Sequence, residues 1–381
     1  KVGPAGGASY GNAGVLAAGS IIPITTPALP KTAIGMVLRK SSPLFLRWPY
    51  LPKMIPFLAT YLRHCTTQHV KHYARSMVPL LNDTVHQHRE LAKNTGAEEF
   101  IFDHPYAFGY ATADAFAKDK PWWDLRAELG IKFDIVQGFD YEAIDPLFSN
   151  TFSQVVLCHE HGRIGDPGEY INRLADNFVA QGGTIQIGEV QRLVRTDGKL
   201  GYQLDEQITY PETMIISTGA WSRDLVRTVG LKVPFETERG YHIELVNPSK
   251  EPLNSMMVAS GKFVITPLNG RIRAAGIVEF GGLELAENDE PIELLKTQVQ
   301  KLLPDVAYDR IDSWLGHRPA PADSLPLIGQ LPMVENCWLG FGHQHVGLTG
   351  GAKTGRIIAE LIQGRTPNID VSPFDPHRFH Q

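Results

Sequence analysis

GFGHQHVGLTGGAKTGRIIAELIQGR, residues 340–365, is the stretch whose reading decides the fold. A glycine-spaced turn carrying two histidines runs into a helix whose first turn holds small residues. The start of a helix leaves backbone N–H groups unpaired at the positive end of its dipole, which suits an anionic or electron-rich ligand edge. Alone, such a turn is most often a tight connection. Three other segments sharpen it: GGASYGNAG (6–14), ISTGAWS (216–222), which reads as a strand ending in a turn, and GHRPAPADSLPLIG (316–329).

At 381 residues and 43% hydrophobic, the chain can bury a large core and reads as two interlocked domains. Asp166 as N-cap, Pro167 at the first helical position and the Gly182-Gly183 stop predict a helix over 165–183. A strand TIQIGEVQRLV (184–194), a hairpin through 196–199 and an apolar strand TMIIST ending at Thr218-Gly219 should follow. Residues 83–126 read as a long helix, one or two strands and another helix. Residues 233–316 read as an antiparallel meander, with Asn269-Gly270 as a hairpin turn and a helix from Glu290 to Leu303. Cys65, Cys158 and Cys337 fit no metal or redox spacing, so a reducing compartment is expected. No Ser/His/Asp triad, P-loop or paired-carboxylate motif stands out, and H-x-H without a third ligand argues against a metal site.

In this order the four segments resemble a flavoenzyme family: the D-amino acid dehydrogenases, D-amino acid and glycine oxidases and sarcosine oxidases. The dehydrogenases are the nearest match, over nearly the whole chain. The resemblance implies an α/β FAD-binding domain of the glutathione-reductase type interlocked with an α+β, antiparallel-sheet substrate domain. Residues 1–30, 151–232 and 317–381 would form the FAD domain, and 83–150 and 233–316 the substrate domain. A strand, a G-x-G-x-x-G turn, a helix and a second strand should precede this sequence. Gly3, Gly6, Gly7, Gly11 and Gly14 do not give that spacing, so an FAD domain short of about 30 residues at its start is expected. Were they truly absent, tight FAD binding would be in doubt. The alternative reading is then a flavin-deficient homologue that only binds a small acid, a membrane or a partner.

By the same resemblance, Arg318 of the G-x-R-P motif holds the substrate α-carboxylate by a two-pronged hydrogen bond, which suits the planar guanidinium. Tyr241 adds a second bond to that carboxylate, while His242 points to the other face of its strand and is structural. His343 and His345 present one ring to the substrate and one to the flavin edge. Gly342, Gln344 and the N–H groups of Gly347, Leu348 and Thr349 line the flavin. Ser9, Tyr10, Ala13, Gly14 and Val15 wrap it from the loop side, Val190 contacts adenine, and Thr218 with Gly219 closes the nucleotide pocket. The cysteine that binds flavin covalently in sarcosine oxidases would fall near Gly316, so FAD should be non-covalent. The implied reaction is oxidative deamination of a D-amino acid, or a cyclic or N-substituted relative. Hydride passes from Cα to flavin N5, and electrons go on to a quinone or other acceptor.

Residues 1–82 contain no Asp or Glu and nine Lys and Arg, so the net charge of −5 divides into +9 there and −14 in the remainder. Within them, Ile34 to His64 mixes large apolar residues with cations, and Pro43, Pro49, Pro52 and Pro56 should break it into short helices. This basic, apolar insertion (31–82) has the makings of a surface that lies on an anionic bilayer through Arg39, Lys40, Arg47 and Lys53, with Trp48, Tyr50 and Phe57 beside them. The alternative is a subdomain packed on the body of the protein. A cytoplasmic location is expected, with peripheral contact on the cytoplasmic face of a bacterial inner membrane. No nucleic-acid-binding motif is present.

Overall fold

The computed structural model describes residues 3–39 and 42–379, and its largest element is a nine-stranded, mixed sheet. Strand Arg310–Pro321 lies at one edge, and Phe235–Val246 pairs with it antiparallel over its whole length. Arg271–Phe280, Phe263–Leu268, Ser255–Val258, Tyr106–Tyr110, Gln154–Cys158 and Phe133–Gln137 follow in that order, with Leu44–Leu46 beside Arg271–Phe280. The hairpin at Asn269-Gly270 forms as expected, Gly270 taking the positive φ of 67° that such a turn favours.

One face of this sheet is capped by the helix Asp289–Leu302, whose Ile292, Leu295 and Val299 pack on Tyr241, Ile243 and Leu245. The other face looks toward a second, smaller unit. There Met214–Ile216 runs parallel to Cys337–Phe341, which pairs antiparallel with Leu327–Gln330. The helix Gly347–Ile362 packs on this unit together with Thr67–Leu81 around Met77, Leu80, Ile357 and Ile358. The helix Pro167–Ala180 forms with Asp166 capping Glu169 N at 3.0 Å, as its signals predict.

Several expected boundaries move. The division at 316/317 falls inside Arg310–Pro321, and the strand Gln154–Cys158 belongs to the large sheet, so the chain leaves that sheet after Cys158 and not at residue 150. The helix expected from Asp83 is only Thr84–Ala92, because Lys93 at ψ 124° leaves the helical region and Asn94 at φ 61° turns the chain further. Strand structure begins at Val190, not Thr184. Residues 184–189 have no pairing partner among the described residues, and Ile185, Ile187 and Ile215 are exposed.

The insertion also differs from expectation. Its prolines leave a 13-residue helix, Leu51–Arg63: Pro52 lies in the first turn, where N–H groups are unpaired anyway, and Pro56 is carried inside the helix. Tyr50 and Phe57 turn inward: Tyr50 Oη donates to Glu236 at 3.0 Å, and Phe57 packs with Met54, Tyr61 and Ala322. Arg47 is tied to Ala286 O at 3.2 Å. Trp48, Ile55 and Leu62 face outward, Arg39, Lys53 and Arg63 are exposed, and Lys40 lies outside the described residues. No helix among the described residues is long and apolar enough to cross a membrane.

Candidate functional site

The two parallel strands Met214–Ile216 and Cys337–Phe341 point their carboxyl ends the same way, and each runs into one tight turn: Gly219–Trp221 and Gln344–Val346. Both turns pack against the strand Arg310–Pro321. Ligands of open α/β sheets bind outside such carboxyl ends. The helix Gly347–Ile362 starts here without a side-chain cap, so the N–H groups of Gly347, Leu348 and Thr349 remain for a ligand. Gly342 must be glycine at this turn: its φ is 91°, and a Cβ would meet Pro321 Cγ at 2.8 Å.

This helix start is pinned in place. Thr349 Oγ1 donates to Val15 O at 3.2 Å and accepts from Ala17 N at 3.3 Å, and Thr84 Oγ1 donates to Thr349 O at 2.6 Å. His88 bridges Leu348 O and Tyr170 Oη at 2.8 Å each, and burial lowers its pKa. Val15 therefore serves the site as a strap on the helix. Gly14, at φ 78°, is also required, since a Cβ there would lie 2.8 Å from Ile164 O. Arg273, which the sequence did not single out, braces the Ser9–Ala13 loop by donating to Tyr10 O at 2.7 Å while Glu244 accepts from its Nε at 2.8 Å.

The strand Phe235–Val246 is buried along its whole length although half of it is polar. Its odd positions Tyr241, Ile243 and Leu245 enter the core under Asp289–Leu302. Its even positions face the other way and find partners: Glu236 with Tyr50, His242 Nδ1 with Gly11 O at 3.1 Å, and Glu244 with Arg273. Burying polar groups is costly unless they are satisfied, so a row of them on one strand face marks a site and not a core.

Arg318 lies on this even face. The register pairs Glu238 with Arg318, Gly240 with Gly316 and His242 with Trp314, and a Cβ on Gly240 would sit 2.6 Å from Arg318 Cζ. The guanidinium thus lies across the gap that Gly240 leaves. Pleat alternation then sends Tyr241 to the opposite face, where its Oη donates to Glu279 at 2.9 Å and accepts from Asn288 N at 3.2 Å. Tyr241 is not brought to Arg318. The histidine expected to face away, His242, is on the Arg318 side, stacked on Trp314 with ring centres 5.2 Å apart. Tyr10 closes against the same indole at 5.9 Å, making an aromatic wall beside Arg318.

The two tail histidines part company. His343 turns into the helix, with its Nε2 2.9 Å from Thr354 Oγ1, and is buried structure. His345 is crowded by neighbouring protein yet presents exposed surface. Burial, with the nearby Arg318 charge adding, lowers its pKa to about 4, so it is neutral near pH 7. Gln344, at φ 49°, donates to Ser324 Oγ at 3.4 Å and leaves its Oε1 buried without a partner. Thr218 Oγ1 pairs with Ser222 Oγ at 2.9 Å, and Gly219, at φ 58°, faces open space. Val190 opens a strand of a separate three-stranded sheet, where its pairing is with Leu204.

The uncapped helix start offers N–H donors beside the two strand ends, and the orphan Gln344 Oε1 adds an unused acceptor next to them. Comparison with known proteins names a cofactor. Residues 1–361 match a family model described as FAD dependent oxidoreductase. The chain is 36% identical over 378 residues to a D-amino-acid oxidase of Bradyrhizobium diazoefficiens, covering 98% of this chain and 90% of that protein. Its fold is similar to that of glycine oxidase from Geobacillus kaustophilus, with a TM-score of 0.74 at 18% identity over 98% of this chain and 89% of the other. Iminodiacetate oxidase from Chelativorans sp. BNC1 gives 0.69 at 16% identity, over 97% and 90%.

Proposed function

Since the chain belongs to the family of FAD-dependent oxidoreductases, we propose that it oxidises an amino acid whose α-carboxylate is held by Arg318. The observation that carries this reading is Arg318 itself: a half-buried guanidinium, laid across Gly240, beside the turn that starts the uncapped helix. A planar fork in such a place suits a carboxylate, and the similar Bradyrhizobium enzyme is a D-amino-acid oxidase. The substrate class is therefore a D-amino acid or a cyclic or N-substituted relative.

The N–H groups of Gly347 to Thr349, the Gln344 amide and the Tyr10–Gly14 loop would hold FAD non-covalently. Bound there, FAD supplies the acceptor for a hydride leaving Cα. The chain's own residues bind and orient. Arg318 fixes the carboxylate and so restricts how Cα–H is presented. His345 and His242, held neutral, add no charge that would compete for the carboxylate. Trp314, Tyr10 and His242 wall the site from water. No side chain is required as base if the amine arrives unprotonated. Electrons then pass to a quinone or other acceptor. Exposed Trp48, Ile55, Leu62, Lys53 and Arg63 would give the protein an approach to an anionic membrane, where a quinone would be met.

The test is anaerobic mixing of the FAD-loaded protein with D-, cyclic and N-substituted amino acids, read as bleaching of the flavin band near 450 nm (about that value for any oxidised flavin). At least one should bleach it. Arg318→Lys should lose at least ~10-fold in kcat/KM with the flavin spectrum intact, taking roughly 1.5–3 kcal/mol for a charged hydrogen bond. Unchanged kinetics in Arg318→Lys would remove Arg318 from the site.

A further inference from the structure

Glu238 stands opposite Arg318 in the strand register, on the same even face, and is 1% exposed. Its Oε2 is buried without a hydrogen-bond partner. The neighbours that close over it are Tyr61 from the helix Leu51–Arg63 and Tyr73 from Thr67–Leu81, and Tyr73 Oη has no partner either. A carboxylate is thus stored behind the guanidinium, out of water and incompletely satisfied. Nothing in the binding scheme above uses it.

Resting on the reading of Arg318 as carboxylate holder, we propose that Glu238 is the counter-charge of Arg318 and takes up one proton when a carboxylate ligand binds there. Without ligand, the Glu238 carboxylate balances the guanidinium. With ligand, two carboxylates would share one guanidinium in an enclosed site, leaving an uncompensated buried negative charge. Protonating Glu238 removes it. The balance is one solvent proton bound per ligand bound; no bond to carbon changes and no electron moves. Glu238 acts on Arg318 through charge, from the facing position of the strand pair.

The surrounding groups leave Glu238 as the one to titrate near neutral pH. Burial raises its carboxyl to about 6, against the opposing pull of Arg318. His345 and His242 are held at about 4 and about 3, chiefly by burial. Burial also lowers the pKa of His64 and His69, at the junction of the two covering helices. Tyr61, Tyr73 and the Cys65 thiol are pushed up, away from neutrality. Glu236, two residues back on the same strand, is raised by burial, and the bonds it accepts from Thr237 N and Tyr50 Oη oppose that rise. Asp323, toward Tyr73, is paired with Arg378 at 2.8 Å.

Proton uptake is measured by calorimetric titration of the FAD-loaded, full-length protein with acetate and benzoate, in two buffers of different ionisation enthalpy, between about pH 5.5 and 8. The expected result is a fractional uptake that grows above about pH 6 and vanishes below it. Affinity should accordingly weaken by up to about tenfold per pH unit across that window. Glu238→Gln, which keeps the shape and loses the charge, should show no uptake, pH-independent affinity and tighter binding than wild type at pH 8. Ligand binding by wild type with no uptake anywhere in the window would overturn the proposal, and this measurement needs no variant to fold. So would uptake of wild-type size in Glu238→Gln. Failure of both acids to bind, or binding unchanged in Arg318→Met, would instead refute the Arg318 reading beneath it.

Discussion

Gly240→Ala puts the geometry of the site to its sharpest test. An added Cβ would lie 2.6 Å from Arg318 Cζ and 2.7 and 2.9 Å from its two terminal nitrogens. Non-bonded heavy atoms prefer about 3.5–4.0 Å, so the guanidinium must withdraw by about 1 Å. The displaced group is the end of a flexible side chain, and Gly240 does not occupy the left-handed region, so folding should lose little. Orientation should lose much: a 1 Å misplacement of a holding group can cost roughly 100-fold, about 2.7 kcal/mol of transition-state stabilisation. The assay is steady-state kcat/KM on whichever amino acid bleaches the flavin, with thermal unfolding and the flavin spectrum as controls. Because both changes act on one fork, Gly240→Ala combined with Arg318→Lys should be little worse than Arg318→Lys alone. A folded Gly240→Ala protein with kcat/KM within twofold of wild type would refute the placement of Arg318 across Gly240.

Tyr241→Phe should cost stability, about 1–3 kcal/mol for Glu279 and Asn288 N losing a buried partner, and leave kcat/KM nearly unchanged; denaturant unfolding beside kinetics measures both, and the reverse pattern would return Tyr241 to the carboxylate. Stability should fall as pH drops from about 6.5 toward 4. His343 and His161, lowered to about 4, and His242, to about 3, mainly by burial, stay neutral in the fold while the unfolded chain protonates them. His343→Gln should flatten that slope in thermal melts across the window, and an unaltered slope would mean that His343 protonates in place. Liposome flotation should show binding that needs anionic lipid, weakens but persists with salt, and drops when Trp48 and Ile55 become Ser and Lys53 and Arg63 become Gln; equal flotation of both proteins would leave the basic segment as packing alone.

What the sequence by itself determined was local. Asp166-Pro167 started its helix, Asn269-Gly270 made its hairpin, and the glycine-spaced tail ran into a helix with an open N-terminus, because capping and turn chemistry act over a few residues. Arg318 stood out by its G-x-R-P motif as a candidate. The tertiary structure alone decided which neighbours share its face. Alternation separates Tyr241 from His242 in any strand, but which of them meets Arg318 depends on the register that sets Glu238 against Arg318, a pairing of segments 80 residues apart in the chain numbering. The parting of His343 from His345 likewise depends on Thr354, about two turns into the helix they precede. Strand signals at 184–189 were real in pattern, yet a strand exists only against a partner backbone, and among the described residues that stretch has none. Glu238 and Arg273 gave no signal at all, since a buried charge is recognised only by what surrounds it.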